Sequence, residues 1–424
     1  MSQTGQPGQS SLLRRRILFH AIPVGMLLAF VAAGMASGTF DTYRARYDFA
    51  TSVQTLIFAT YLFALLPTLL LTPLILKKIT PIQLYVIGIC MLVVADVVFV
   101  SSAATWMLFL GRALQGITVA FLNSAAPQLL ISLQKRGWGR FDAMILSLVA
   151  SGGLGVGLFG AKALEGSADN IDRWLFAIHI VMTIVFLVGT QVIRPRGEDA
   201  KRKVGDSAEE KQNLFDFSAP KELHAKWIST AGLAAGTVWT LGGLYLGLGG
   251  LIGDTVAPPI AAFVPFIFFM AMMGGQLLTR TMSKSISQLL IWIPVNVAGA
   301  ILTAAGVGIA FAAGEASWFS GIVGLAGAMA GGVSLGIIFV VATDIFPKTI
   351  DDDKASKQTA FFFAKTFAGN SLPTLAVGLL SDVIGLQWAL AILAAVVTVM
   401  GIGLIVRFRS LALENRRVSA QQGD

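Results

Sequence analysis

Three polar side chains recur at helical spacing inside an apolar run that covers residues 105–130. Arg112, Gln115 and Asn123 fall on one face of a helix, with Val119 between them. A charged side chain at the centre of a bilayer costs about 3 kcal/mol even on mild scales, unless it faces a partner or a water-filled cavity. Arg112 is therefore predicted to bind a substrate, with Gln115 and Asn123 beside it. The alternative is a packing role in which backbone carbonyls accept its hydrogen bonds.

Two carboxylates are predicted to accompany Arg112 and to take up a proton. Asp41 ends the first apolar run, and Asp96 lies in the third at a depth close to that of Arg112. Ion pairing and apolar burial act on a carboxylate in opposite senses, so a group placed between them can exchange a proton as a cavity opens and closes. The sequence leaves both as proton sites, with a local hydrogen bond as the alternative for Asp96. His179 is expected to be a satisfied structural residue.

The apolar runs around these residues indicate a helical membrane protein. Of the 424 residues, 55% are hydrophobic and only 13% are charged, which is about half the charged fraction of an ordinary soluble domain. Each run can cross a hydrocarbon core of about 30 Å at about 1.5 Å per residue. Twelve spans are predicted: 17–40, 51–76, 82–102, 105–130, 142–163, 173–193, 227–250, 258–279, 286–312, 318–346, 358–381 and 386–407.

Lysine and arginine in the loops predict the orientation. With the amino terminus inside the cell, cytoplasmic segments hold 25 of the 31 basic residues, as expected for loops that stay inside. The fold class is thus an all-α integral protein of the cell membrane, with cytoplasmic tails at 1–16 and 408–424. The first run is expected to remain as a helix, because no small-residue cleavage site precedes Asp41.

One long polar segment, residues 194–226, divides the twelve spans into two groups of six. It has the composition of a flexible cytoplasmic linker. The sequence therefore predicts an N-terminal six-helix bundle at 17–193 and a C-terminal six-helix bundle at 227–407.

The two groups carry a weak internal repeat. A shift of 216 positions places Gly111 on Gly327 and Gly116 on Gly332. Transporters built from two parallel halves show such similarity, with the substrate site between the halves. Chance matching of small residues in membrane helices is the alternative.

Several function classes find no support in the chain. Cys90 is the one cysteine, and His20, His179 and His224 lack ligand spacing, so no metal site and no cofactor are predicted. No phosphate-binding G-x-x-x-x-G-K-[ST] loop and no catalytic constellation occurs. The net charge of +8 resides in loops between apolar runs, which is a membrane-topology pattern and not a nucleic-acid patch. We therefore expect neither an enzyme nor an ATP-driven pump nor a nucleic-acid-binding protein.

Over essentially its whole length the chain resembles the major facilitator superfamily. The run from Arg112 to Gly116, Arg-Ala-Leu-Gln-Gly, is similar to the R-x-x-Q-G signature of that superfamily's fourth helix. The resemblance implies a twelve-helix transporter of two pseudo-symmetric six-helix bundles. It also implies a central cavity lined by helices one, four, seven and ten.

The loops that control opening in the resembled family are only partly kept. The segment 72–81 has Lys77 and Lys78 but lacks the glycines and the acid of G-x-L-a-D-r-x-G-r-k, and its second-half counterpart keeps Arg280 without an acid. The charge relay of the family is therefore expected to be weaker here. Span five, at 151–160, is rich in glycine but has no proline, which weakens a likeness to drug/proton antiporters.

Six residues are predicted to serve conformational change. These are the loop cations, two glycines of span five and a proline that can bend span eleven: Lys77, Lys78, Arg280, Gly153, Gly157 and Pro373.

The second half supplies a different cavity wall. The 216 shift places Ala328, Gly331 and Leu335 at the positions where span four has Arg112, Gln115 and Val119. Trp239 in span seven and Asn370 in span eleven are the cavity residues predicted there. A polar, positive wall facing an apolar, aromatic one is suited to an amphiphilic cargo.

These observations predict secondary active transport of a small amphiphilic molecule by alternating access, as proton-coupled export. The expected partners are the lipid bilayer, the substrate and protons, and the chain is expected to act as a monomer. Uptake of an organic anion and movement of a lipid or lipid precursor are the transport alternatives. A sensor or scaffold that does not transport is the alternative of a different class.

Overall fold

The computed structural model describes residues 9–135, 144–193, 223–345 and 355–421, and these residues form helices and connecting turns. The helices are α1 Gln9–Gly38, α2 Phe40–Tyr47, α3 Thr51–Leu76, α4 Pro81–Val100, α5 Thr105–Lys135, α6 Met144–Ala163, α7 Ile171–Ile193, α8 Leu223–Val256, α9 Phe263–Leu278, α10 Ile286–Ala313, α11 Trp318–Ile345, α12 Ala355–Ile384 and α13 Leu386–Gln421.

Within the described ranges, eleven helices are long and apolar enough to cross a membrane. The predicted span 258–279 is wrong in its first five residues, which precede the helix. A 3₁₀ turn at Pro258–Ile260 precedes α9, which has 16 residues and is the shorter apolar helix. Two consecutive prolines lack the N–H groups that a longer helix would need at this point.

The short helix α2 was not predicted, because the run after residue 40 is polar and its sequence resembles a loop. Phe40 and Tyr43 are nevertheless buried against the bundle, and these two aromatic side chains tie the helix to it.

Three helix ends differ from the predicted span boundaries. Helix α1 begins at Gln9 within the predicted tail 1–16, and α8 begins at Leu223 within the predicted linker. Helix α13 continues to Gln421, through most of the predicted tail 408–424. Hydropathy reports where a membrane ends, whereas a helix can continue into the polar region beyond it. The rest of the predicted linker, 194–222, lies outside the described residues.

Helix packing repeats between the N-terminal helices α1–α7 (the N-half) and the C-terminal helices α8–α13 (the C-half). In the N-half α1 packs on α6, α4 on α5, and α3 on α5. In the C-half α8 packs on α12, α10 on α11, and α9 on α11. The halves meet mainly where α3 contacts α12 and where α6 contacts α9.

Glycines that the internal repeat pairs together make equivalent close approaches. Gly116 of α5 lies against the backbone of Tyr61 in α3, and Gly332 of α11 lies against the backbone of Phe268 in α9. A Cβ atom at either position would overlap the neighbouring carbonyl. Small residues allow such backbone contact between membrane helices.

Candidate substrate cavity

A cavity of about 900 Å³ lies between the two halves. At one end it is lined by Ser37 and Arg112, and it continues to Leu76 and Gln128, near the ends of α3 and α5. The family resemblance predicts that spans one, four, seven and ten line the cavity. These spans are α1, α5, α8 and α11, and all four contribute to the wall. Helices α3, α6, α9 and α12 contribute as well. A volume of this size accommodates a small organic molecule.

Arg112 is held in a cradle formed by α1 and α5. Its guanidinium donates hydrogen bonds to the carbonyl of Ala33 at 3.0 Å, to Oγ of Ser37 at 2.8 Å and to Oε1 of Gln115 at 3.1 Å. Gln115 in turn donates to the carbonyl of Ala32 at 3.1 Å. Arg112 is only 1% exposed, and its Nε has no hydrogen-bond partner in the ranges that the structure describes.

Three aromatic rings surround the same guanidinium. Its central carbon lies 5.1 Å from the ring centre of Phe40, 5.5 Å from that of Tyr61 and 5.9 Å from that of Phe58. Ring faces attract a cation, and this attraction strengthens when water is excluded. We call Phe40, Phe58 and Tyr61 the aromatic box. It stabilises the charge of Arg112 without neutralising it.

The prediction that Asp41 or Asp96 pairs with Arg112 is wrong. In the described part of the chain, each carboxylate is paired elsewhere: Asp96 with His179 and Asp41 with Lys162. The depth of Asp96 along its helix could be predicted from sequence, but the rotation of that helix, which places the carboxylate against α7, could not. Asp41 belongs to α2, a helix that was not predicted.

The other predicted cavity residues divide into two groups. Asn123, Trp239 and Asn370 line the cavity. Gln115 is 1% exposed and lies behind Arg112, where it orients the guanidinium. Neither Nε1 of Trp239 nor Oδ1 of Asn370 has a hydrogen-bond partner among the described residues, so both atoms are able to bond a ligand.

Charged residues close one end of the bundle. We call it the acidic end, and it contains Asp41, Asp172, Asp254 and Asp382. The opposite end is called the basic end, and it contains Lys77, Lys78, Lys226 and Arg280.

At the acidic end Arg46 makes two hydrogen bonds to Asp172, at 2.7 and 2.8 Å. This carboxylate raises the pKa of Arg46. Both residues belong to the N-half.

Lys162 forms an ion-pair cluster that joins the halves at the acidic end. Its ammonium lies 3.0 Å from Asp41 and 2.6 Å from Glu165 in the N-half, and 2.6 Å from Asp254 in the C-half. The lysine side chain is 5% exposed. We call these four residues the Lys162 latch. In the sequence, Lys162 and Asp254 are visible as charges at the ends of spans five and seven.

A second contact between the halves lies at the same end. The carboxylate of Asp382 in α12 accepts hydrogen bonds from the backbone N–H groups of Thr51 and Ser52, at 3.0 and 2.9 Å. It thereby satisfies free donors at the start of α3 and complements the positive end of that helix dipole.

The predicted conformational residues lie in three places. Lys77, Lys78 and Arg280 are exposed at the basic end, where Arg280 donates to the sulfur of Met144 at 3.1 Å. Pro373 lies within α12. The remaining two, Gly153 and Gly157, lie on α6 and pack against α1.

The comparison with known proteins identifies the family. A family model described as the Major Facilitator Superfamily matches residues 23–364. The chain belongs to this superfamily. A search of curated protein sequences finds no match.

Solved transporters of the superfamily share the fold. A bacterial homologue of the human lysosomal transporter Spinster, in an inward-facing and unoccupied conformation, gives a TM-score of 0.66 at 12% identity, with 96% of this chain and 98% of that chain covered. The nucleoside transporter NupG gives 0.68 at 14% identity, with coverage of 92% and 99%. A variant of NupG gives 0.69 at 13% identity, with coverage of 94% and 100%. At these identities the likeness shows the fold alone.

Membership of the superfamily places the cavity in a multi-pass membrane protein with a transporter fold. The Arg-x-x-Gln-Gly run of the superfamily here builds the Arg112 cradle: Arg112 and Gln115 bind α1, while Gly116 permits close contact with α3.

Proposed function

We propose that this protein is a secondary transporter that exports a small amphiphilic molecule in exchange for protons, by alternating access. The observation that carries the proposal is Arg112, a buried cation that lines the central cavity and has no carboxylate partner among the described residues. A buried charge without a counter-charge is costly. A cargo with an anionic or strongly accepting group would supply the missing partner.

The opposite wall of the cavity supports an amphiphilic cargo. Phe339, Phe363 and Phe367 line the C-half side, where Trp239 packs edge-on against Phe339 with 5.7 Å between ring centres. An apolar group of the cargo would contact these rings while its polar group lies near Arg112. Asn370 is placed to accept a hydrogen bond from the cargo.

The two ends of the bundle support alternating access. The cavity extends toward the basic end, while the Lys162 latch and Asp382 join the halves at the acidic end. Breaking these contacts and bringing α6 closer to α9 would expose the cavity to the other side. The pseudo-symmetric helix contacts permit such rocking of two halves about the cavity.

The loop charges of the sequence orient this cycle. They favour an orientation with the basic end in the cytoplasm, in which cargo would enter from inside and leave at the acidic end. For the cargo to leave there, Lys162 must separate from Asp254 of the C-half while it stays paired with Asp41 and Glu165 of the N-half. We therefore assign the ion pair between Lys162 and Asp254 to the outer gate.

Binding of matched probes tests the Arg112 assignment. Anilinonaphthalene sulfonate is an amphiphilic anion, and N-phenylnaphthylamine is its uncharged parent. Purified protein in nanodiscs should bind the sulfonate, and Arg112→Gln should weaken this binding by roughly ten- to a hundredfold, the range of a charged hydrogen bond of about 1.5–3 kcal/mol. Binding of the uncharged parent should change little. Equal losses for both probes would contradict the assignment.

A vesicle experiment tests transport and its driving force. Proteoliposomes with an imposed pH gradient should accumulate the sulfonate more than proteoliposomes in which an ionophore has collapsed the gradient. Transport that ignores the gradient would overturn proton coupling and leave facilitated movement of an organic anion. Binding without any transport would favour the sensor or scaffold instead.

The apolar wall of the cavity also favours a second cargo class, a lipid or lipid precursor. Vesicles containing a fluorescent lysophospholipid distinguish it, because such a transporter would move this probe between leaflets and would move the short sulfonate poorly.

A further inference from the structure

A second buried charge network lies behind α1, away from the cavity wall. Asp96 of α4 is fully buried and His179 of α7 is 3% exposed. Oδ2 of Asp96 lies 2.7 Å from Nδ1 of His179, and Nε2 of His179 lies 3.1 Å from the carbonyl oxygen of Leu28 in α1. Three helices therefore meet at one imidazole ring.

The hydrogen-bond partners of the His179 ring determine how many protons His179 and Asp96 hold together. A carbonyl oxygen can only accept, so Nε2, which faces Leu28, must carry a hydrogen. Nδ1 faces a carboxyl oxygen at hydrogen-bond distance, so one further proton must lie between these two atoms. Asp96 and His179 are then neutral as a pair, whether the carboxyl or the imidazole carries the shared proton. Without that proton, two lone pairs would face each other at 2.7 Å.

Other titratable groups on the helices packed around this pair are bound elsewhere or lie apart from it. Tyr85 donates to the carbonyl of Ile22, and Arg112 bonds to α1. The described titratable groups of these helices, other than the pair, are Arg16 and His20 on α1, Tyr85 and Cys90 on α4, Arg112 on α5, and Asp172 and Arg173 on α7. None of them has a hydrogen bond or ion pair to Asp96 or His179 in the described part of the chain. Among the described residues, the shared proton is therefore the one positive charge that can balance the carboxylate locally.

Backbone carbonyls of α1 connect this pair to the cavity. His179 bonds to the carbonyl of Leu28, Gln115 to that of Ala32, and Arg112 to that of Ala33. Leu28 and Ala32 are one helical turn apart and lie on one face. A movement of α1 toward or away from His179 would therefore displace the acceptors that hold Gln115 and Arg112.

We propose that Asp96 and His179 together form the proton-binding site of this transporter, and that α1 couples the proton to the Arg112 cradle. The inference rests on the proton coupling proposed above. On uptake, one proton enters between Oδ2 and Nδ1, and the pair closes against α1. On release, the proton leaves to water, a carboxylate and a neutral imidazole remain, and their repulsion separates α4 from α7. No other bond forms or breaks.

The first test observes the proton directly and needs no cargo. With only three histidines in the chain, the substitutions His20→Gln and His224→Gln leave His179 as the single ¹⁵N-labelled imidazole for NMR. We expect a protonated Nε2, a hydrogen-bonded Nδ1, and a titration that Asp96→Asn abolishes, because the asparagine N–H replaces the shared proton as donor to Nδ1. An unprotonated Nε2, or a titration that Asp96→Asn leaves unchanged, would overturn the site.

The second test concerns coupling to transport. In proteoliposomes, Asp96→Asn should still exchange anilinonaphthalene sulfonate between the two sides at equal pH, but should lose accumulation driven by a pH gradient. Asp169→Asn, which alters an exposed carboxylate at the acidic end, is the matched control and should keep both. Thermal unfolding of Asp96→Asn should match the parent, since the hydrogen bond is kept.

These experiments distinguish an error in the proposed proton coupling from an error in the assignment of the proton to Asp96 and His179. If the parent protein shows no accumulation driven by the gradient, proton coupling itself is wrong, and the NMR titration still decides whether the pair binds a proton. If the parent is driven by the gradient and Asp96→Asn is driven equally well, the site assignment alone is wrong.

Discussion

At the scale of single residues, the guanidinium of Arg112 combines full burial with a charge that no carboxylate of the described residues neutralises. Carbonyl and hydroxyl oxygens accept hydrogen bonds from the guanidinium, and three aromatic rings lie around it. This arrangement holds the cation in place and leaves its charge available to the cargo proposed above.

The aromatic box should contribute measurably to stability. Replacing Tyr61 by leucine removes one ring face from Arg112, whereas Tyr61→Phe keeps it. We expect Tyr61→Leu to lower the free energy of unfolding by about 0.5–2 kcal/mol relative to Tyr61→Phe, the range of a cation–π contact.

Thermal unfolding of both variants in the same detergent measures this difference. Equal unfolding temperatures for the two would show that the ring face does not act on the guanidinium.

The importance of Arg112 could be predicted from sequence, because a charge in an apolar run demands an explanation. Its surroundings could not. Phe40 contacts it from α2, whose polar sequence resembles a loop, and Phe58 and Tyr61 contact it from α3, where aromatic residues look like any other apolar ones. The partner of Asp96 depended on the rotation of two helices, which composition and hydropathy do not report.

At the scale of helices, α6 and α1 approach so closely that their separation is set by glycine. A Cβ atom on Gly157 would overlap the carbonyl of Val31, and one on Gly153 would meet Phe30. Gly160, on the same helix, has nothing within 4 Å of its Cβ position. The two glycines predicted to serve conformational change, Gly153 and Gly157, thus both lie at the close contact with α1, whereas Gly160 does not.

This difference supplies an internal control. Gly157→Ala should force α6 away from α1 and lower the free energy of unfolding by roughly 1–3 kcal/mol, the usual cost of overpacking. Gly160→Ala should leave stability unchanged or raise it slightly, since alanine favours a helix more than glycine does.

The unfolding temperatures of the two variants test this account of the α1–α6 contact. A Gly160→Ala protein as unstable as Gly157→Ala would mean that glycine acts through backbone flexibility and not through close packing.

At the scale of the whole molecule, the two halves have equivalent helix contacts but different chemistry. The helical membrane fold could be predicted from hydropathy, because long apolar runs reflect contact with lipid. The contacts that join the halves did not follow, because Lys162, Asp254 and Asp382 stand far apart in sequence and each looks like an ordinary charge at a helix end.

Breaking the Lys162 latch should open the acidic end while the basic end closes. In a Cys90→Ser background, spin labels at the exposed residues Ser167 and Glu315 report on the acidic end, and labels at Lys78 and Ser283 report on the basic end. Arg46→Gln is the matched control, because Arg46 pairs with Asp172 inside the N-half.

Pulsed electron–electron distance measurements on Lys162→Gln therefore test the account most directly. We expect the Ser167–Glu315 distance to lengthen and the Lys78–Ser283 distance to shorten together, with neither change in Arg46→Gln. A longer acidic-end distance with an unchanged basic end, or no change at either end, would contradict alternating access through this latch.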